Sequence, residues 1–247
     1  MIWLVSDPHG GQDMEGLEAC LAQCKKEDLI LILGDMELHF RDTEGNRAFT
    51  AYFESLNGQI AFLDGNHENF DHLDSLPVED WHGGKVHRLS DSIVHLMRGH
   101  IFELEGKTFL VMGGCKSTQK WKDAGLWWPQ EEPSREEIAL AYENLNKCGN
   151  KVDYVLTHKY RIENPDADPL TLQGFSNYVE KNVEFQHWYS GHWHKTAFLD
   201  DRHTVVFQEP IQLVKRIINR TSAAKRIFAA EVFTILGVST AAPWLLL

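Results

Sequence analysis

Five short stretches of the chain carry side chains able to hold a metal ion: Asp7-Pro8-His9, Gly34-Asp35, Gly65-Asn66-His67-Glu68, Thr157-His158 and Gly191-His192-Trp193-His194. Each follows an apolar run. Taken singly, each reads equally well as a strand end with turn residues, and the last as a turn with exposed imidazoles. Together they offer Asp7, His9, Asp35, Asn66, His67, His158, His192 and His194, a set of carboxylate, amide and imidazole donors without a thiolate. That set suits hard to borderline divalent metals such as Mn, Fe or Zn, and is too rich in imidazole for a pure Mg or Ca site. It holds more ligands than one ion needs, which implies two ions and a bridging carboxylate. Two ions about 3.5–4 Å apart clamp the attacking and leaving oxygens of an in-line displacement at phosphorus, and they acidify a bound water.

The elements that must position these residues follow from the hydrophobic pattern. Residues 2–5, 29–33 and 59–63 are unbroken apolar runs, as expected of strands buried on both faces. Helical spacing of Met14, Leu17, Leu21 and Cys24 predicts a helix over about 12–25. Phe49, Tyr52, Phe53 and Leu56 predict another over 44–56. Strands alternating with helices imply a parallel sheet joined by crossovers, and such sheets bind ligands beyond the carboxyl ends of their strands. Asp7, Asp35 and Asn66 all fall there.

Beyond His67 the pattern changes. Residues 91–96, 101–104 and 108–112 read as short strands of a second, antiparallel sheet, with Arg98-Gly99 and Glu105-Gly106-Lys107 as hairpin turns. Residues 113–133 form a long loop holding Trp121, Trp127 and Trp128. Ser134 to Glu137 is a capping box that opens a helix. Strands follow at 152–156 and 185–190, a short helix near 174–182, and a hairpin of 196–199 with 204–207.

The ordered series Asp-x-His, Gly-Asp, Gly-Asn-His-Glu, His and Gly-His-x-His resembles the signature of the calcineurin-like metallophosphoesterase superfamily, and it spans residues 7–194. The resemblance implies an α/β fold, a four-layer αββα sandwich of two packed mixed β-sheets flanked by helices. It implies that Asp7, His9 and His194 hold one metal and Asn66, His158 and His192 a second, with Asp35 bridging. The cofactors would be two divalent ions, Mn foremost, with Fe, Zn, Ni or Co as other choices. His67 would be the general acid, and a metal-bridging hydroxide would attack a phosphate mono- or diester. Two other readings stay open: a non-catalytic protein-binding scaffold of this fold, and a nuclease of the same superfamily.

The chain departs from the protein-phosphatase branch, where Gly-Asp continues into Asp-Arg-Gly. Here Met36 to Asp42 follow Asp35, and Arg41 is the candidate contact for a phosphate. Trp121, Trp127 and Trp128 have two readings. They form either a hydrophobic cluster that pins the loop, or a cap that stacks an aromatic leaving group. Lys116, Lys120 and Lys122 are likewise either a solvated face or contacts for further phosphates.

A net charge of −12 argues against non-specific nucleic-acid binding, which needs Lys and Arg to replace counterions. The expected partner is instead a phosphorylated substrate, a nucleotide or a phosphoprotein. Four cysteines without a Cys-x-x-Cys pair read as reduced core thiols. With no basic, apolar leader at the start, they imply a cytoplasmic protein. The expected domains are a metallophosphoesterase domain over 1–210 and a basic, then apolar tail over 211–247. The apolar run of that tail is short for a membrane anchor. It reads as a helix that packs on the domain or joins a homo-oligomer. His72, His82, His87, His95, His100 and His203 receive no role.

Overall fold

The computed structural model describes residues 1–56, 58–160 and 164–213. The chain divides into two units, Met1–Val214 and Lys215–Leu247. The helix expected of the tail, and its expected packing or oligomer contact, fall outside the described residues.

The first unit opens with three parallel strands, β1 (Ile2–Val5), β2 (Leu29–Leu33) and β3 (Gln59–Leu63), connected through α1 (Glu15–Leu21) and α2 (Glu44–Ser55). Their unbroken apolar character has a direct cause. Leu4, Leu31, Leu33 and Leu63 face a core between two sheets, while Val5, Ile30, Ile32 and Phe62 face the helices. On α2, Phe49 and Phe53 are buried and Tyr52 is exposed. The helix expected over 12–25 is shorter, Glu15–Leu21, and a 3-10 turn at residues 9–11, with Gly10 and Gly11 at φ of 60° and 100°, precedes it.

Next come α3 (Phe70–Ser75), β4 (Val78–Trp81), β5 (Gly84–Arg88) and β6 (Ile93–Leu96). The β6 strand does not join the second sheet, as its pattern suggested. It lies parallel to β3 and antiparallel to β5. Arg98-Gly99 is accordingly not a hairpin turn but the crossing between sheets. Arg98 is buried there, and its Nε–H donates to Asp64 at 2.8 Å.

The second half contains β7 (Ile101–Leu104), β8 (Lys107–Met112), α4 (Gln119–Asp123), α5 (Arg135–Lys147), β9 (Tyr154–Thr157), α6 (Leu172–Asn182), β10 (His187–Ser190), β11 (Ala197–Phe198), β12 (His203–Val205) and β13 (Ile211–Leu213). The 113–133 segment is thus a loop interrupted by α4 and by a 3-10 turn at Pro129–Glu131. Ser134 and Glu137 form the expected capping box of α5. Residues 211–213 pair with β1, so the sheet continues past residue 210.

The strand orders are β13-β1-β2-β3-β6-β5-β4 and β11-β12-β10-β9-β8-β7. Both sheets are mixed. Phe102, Phe109, Val111 and Leu156 of the second pack on Leu4, Leu31 and Val94 of the first. Helices α5 and α6 cover the outer face of the second sheet through Ile138, Leu145, Phe175 and Val179. The result is an α/β sandwich with helices outside two packed sheets. Each large apolar side chain so buried contributes about 1.5–3 kcal/mol.

Candidate metal centre

Each of the five stretches leaves the carboxyl end of a strand: Asp7 after β1, Asp35 after β2, Asn66 after β3, His158 after β9, and His192 with His194 after β10. At these ends the backbone turns sharply. Asp7, His9, Asp35, His192 and His194 have φ of 55°, 45°, 54°, 70° and 47°. A non-glycine residue in this left-handed region costs about 1–2 kcal/mol, so surrounding contacts must hold it there. Those contacts are present. Asp7 N–H donates to Gly34 O at 3.1 Å and His9 N–H to Asp35 O at 3.0 Å, while His192 N–H reaches the Asp7 carboxylate at 3.0 Å. Gly65 permits a close approach, since a Cβ there would overlap the Asp35 carboxylate.

Two donor groups result. Asp7, His9, Asp35 and His194 converge in one, and Asp35, His158 and His192 in the other, with the donor atoms of each group within 4.8 Å of one another. In the first, His9 Nε2 lies 2.9 Å from His194 Nε2 and 3.5 Å from Asp35 Oδ2. In the second, His158 Nε2 lies 3.2 Å from His192 Nδ1 and 3.5 Å from Asp35 Oδ1. Asp35 belongs to both groups and offers a different oxygen to each.

The outer nitrogens show that these imidazoles suit a cation. His9 Nδ1 is held by Glu37 Oε1 at 2.9 Å, and His158 Nδ1 donates to Leu33 O at 2.8 Å. Cys115 Sγ lies 3.7 Å from both Lys116 O and His192 Nε2. The inner nitrogens, His158 Nε2 and His192 Nδ1, lie 3.2 Å apart, close enough to share one proton or one cation. Second-nitrogen anchoring of this kind is what orients metal-binding histidines.

Asn66 makes the same point. Its Nδ2–H donates to Ser117 Oγ at 3.0 Å, while its Oδ1 is buried without a partner. The donor set and this orphaned oxygen fit a divalent ion.

The electrostatics describe a centre short of positive charge. Burial opposes ionisation of His158, but the Asp35 carboxylate overrides it and holds the imidazolium up to about 10. Burial also acts against Asp35, whose carboxyl is nevertheless held well below the usual range, above all by His158. Burial and the neighbouring His158 push His192 down to about 3. A proton on His158 thus supplies the charge that an ion would bring.

His67 is buried beside the first group, with its ring 5.4 Å from that of His9. Its backbone N–H donates to Asp35 Oδ1 at 2.8 Å, and its buried Nδ1 has no hydrogen-bond partner, with Glu37 Oε1 3.9 Å away. Burial pushes its imidazolium form down, against the pull of Asp35 and Glu37. Of the three loop tryptophans, Trp121 meets His67 edge to face, with ring centroids 4.3 Å apart. Arg41 lies over Trp121 at 5.9 Å and over Phe40 at 5.4 Å, and its Nε is buried without a partner. Trp128 packs on Phe40 and donates its indole N–H to Asp71 at 2.9 Å, which pins the loop to α3. Trp127 is exposed, with Lys122 over its ring. Lys116 is paired with Glu132 at 3.7 Å, and Lys120 lies over Trp121.

Several residues at the centre had no role in the sequence reading. Glu37 orients His9. Glu68 accepts from Met36 N, Glu37 N and Gly65 N at 2.9, 3.0 and 3.3 Å, and so joins the loops after β2 and β3. Both carboxyls lie close to ligands in sequence, and that adjacency is the only signal that could have drawn attention to them. Ser117 and Cys115 carry no such signal. The thiols also differ from expectation, since Cys20 and Cys115 are buried whereas Cys148 is exposed.

A mixed double-sheet sandwich with carboxylate and imidazole donors gathered at its strand ends has the donor groups of a candidate metal centre. In agreement, the family model for calcineurin-like phosphoesterases matches residues 1–196, and the chain belongs to that family. No curated protein matches the chain.

Proposed function

We propose that this protein is a dinuclear metal-dependent phosphoesterase acting on phosphate mono- or diesters. The observation that carries the proposal is Asp35, which offers one oxygen to each of two donor groups. Asp7, His9 and His194 would hold one ion and Asn66, His158 and His192 the other, with Mn as the first candidate. When bound, two such ions supply Lewis acidity toward phosphoryl oxygens and lower the pKa of water enough for attack near neutral pH.

The remaining work falls to the chain itself. His67 donates a proton to the leaving oxygen, since it is buried beside the donor groups with a ring nitrogen free of hydrogen bonds. An anionic substrate counteracts the depressing effect of burial and favours the protonated ring. Arg41 anchors a phosphate oxygen, and Trp121 walls the side on which the leaving group departs. That wall favours a leaving group that carries an aromatic ring, as in a nucleotide or a phosphotyrosine-like ester. The four unpaired cysteines suit a reducing, cytoplasmic setting.

The test is Asp35→Ala, assayed with an aryl phosphate in Mn and paired with metal analysis. The expected result is loss of hydrolysis together with reduced metal content. Full activity in that variant would overturn the proposal.

A further inference from the structure

A second cluster of buried titratable side chains lies between α3, the β5–β6 edge of the first sheet and the 129–137 segment. Asp64, His87, His95 and Arg98 are all 6% exposed or less. Arg98 is fully committed. It donates to Asp64 through Nε and Nη2, to Glu137 at 3.3 Å and to Gln130 O at 2.8 Å. Asp64 also receives His95 Nε2–H at 3.0 Å. With its hydrogen on Nε2, the His95 imidazole accepts at Nδ1. Its partner there is His87 Nδ1 at 3.0 Å, so His87 carries its hydrogen on that nitrogen. Burial and His95 push His87 down to about 4, which leaves the ring with this one hydrogen. His87 Nε2 therefore presents a lone pair, and no described residue donates to it.

His87 lines a cavity of about 520 Å³. Other polar groups on the wall add acceptors. Gln130 gives its Nε2–H to Asp74 at 3.3 Å, while its Oε1 is buried and unpartnered. Asp74 contributes a carboxylate. Phe70, Leu73 and Met97 line the remainder with apolar surface. Acceptors beside a carboxylate select a ligand that brings donors and positive charge, and the buried Gln130 Oε1 is costly to leave unpaired. An apolar surround selects an aliphatic body.

We propose that this cavity binds a guanidinium or ammonium group carried on an aliphatic stem. Asp74, His87 Nε2 and Gln130 Oε1 are its acceptors, and Phe70, Leu73 and Met97 pack on the stem. The site shares none of the candidate metal ligands, so it stands or falls separately from the phosphoesterase reading.

The probe is agmatine, titrated calorimetrically into the full-length protein. Saturable binding is expected. Asp74→Asn and His87→Phe should each weaken it by ~10-fold or more, a loss of about 1.4 kcal/mol. His87→Gln, which restores an acceptor, should recover part of that loss. Aryl phosphate hydrolysis should stay unchanged in Asp74→Asn, an exposed position whose substitution leaves the core intact. Absence of saturable binding, equal binding by wild type and Asp74→Asn, or preference for inorganic phosphate over agmatine would each overturn the proposal.

Discussion

Asn66 gives its Nδ2–H to Ser117 Oγ, 51 residues further along the chain, and this bond leaves Asn66 Oδ1 as the buried, unpartnered end of the amide. Ser117 is itself held by Glu131, whose Oε2 accepts the Ser117 N–H at 3.0 Å. The 113–133 loop thus orients a candidate ligand that belongs to the β3 end. Ser117→Ala should weaken metal binding by about 10–100-fold, the usual effect of losing a partner behind a ligand. Ser117→Thr, which keeps the hydroxyl, should retain most of the affinity. Metal titration of the two variants separates the orienting role from a general loss of packing.

His67→Ala should keep its metal, because none of the donor pairs that define the two groups involves this residue. Turnover should fall by about 10²–10⁴-fold. The fall should be steepest for esters with poor leaving groups, where proton donation matters most. A series of aryl and alkyl phosphates, read as rate against leaving-group pKa, checks this. An equal loss across the series would assign His67 to phosphate orientation instead.

Trp121 and Trp127 share a loop and differ in what they touch. Trp121→Ala should raise KM for nucleotide or aryl substrates by ~10-fold, the scale of one stacking contact. It should leave KM for a small alkyl phosphate nearly unchanged. Trp127→Ala, at an exposed ring away from His67, should leave both unchanged. Steady-state kinetics on the two substrate types reads the difference.

Acid stability has a separate source at the amino end of the sheet. Lys25 N–H donates to Asp28 Oδ2 at 3.0 Å, and Trp3 Nε1–H reaches the same oxygen at 3.2 Å. The Lys25 bond is the main cause that draws the Asp28 carboxyl down to about 2. Its ordinary value is about 3.9, so the folded state favours the ionised form. The stabilisation is complete above about pH 4 and is lost as pH falls through about 2. Asp28→Asn should therefore be less stable than wild type at neutral pH, with the difference shrinking toward pH 2. Urea melts at several pH values measure it.

The five ligand-bearing stretches were legible in the sequence because each is written locally, as a buried strand followed at once by a turn. The strands β1, β2 and β3 were legible for the same reason, since burial on both faces leaves an unbroken apolar run. The β7–β8 hairpin was also legible, because Glu105 and Gly106 take the positive φ that its tight turn needs. The sheet to which β6 belongs was not legible. Its short apolar pattern suits either sheet, and the choice rests on parallel pairing with β3 across a long separation.

By itself, then, the sequence determined which residue types gather at strand ends, and hence the metal-site chemistry. Tertiary structure alone decided how they are aimed. Glu37 turns the His9 ring, Ser117 turns the Asn66 amide, and buried Arg98 ties the crossing between sheets to Asp64. His87 and His95, unremarkable in sequence, became a paired relay against Asp64. The physical reason is the same throughout. A strand and its turn are specified by neighbouring residues, whereas a buried polar group must find its partner wherever the fold brings one within hydrogen-bond reach.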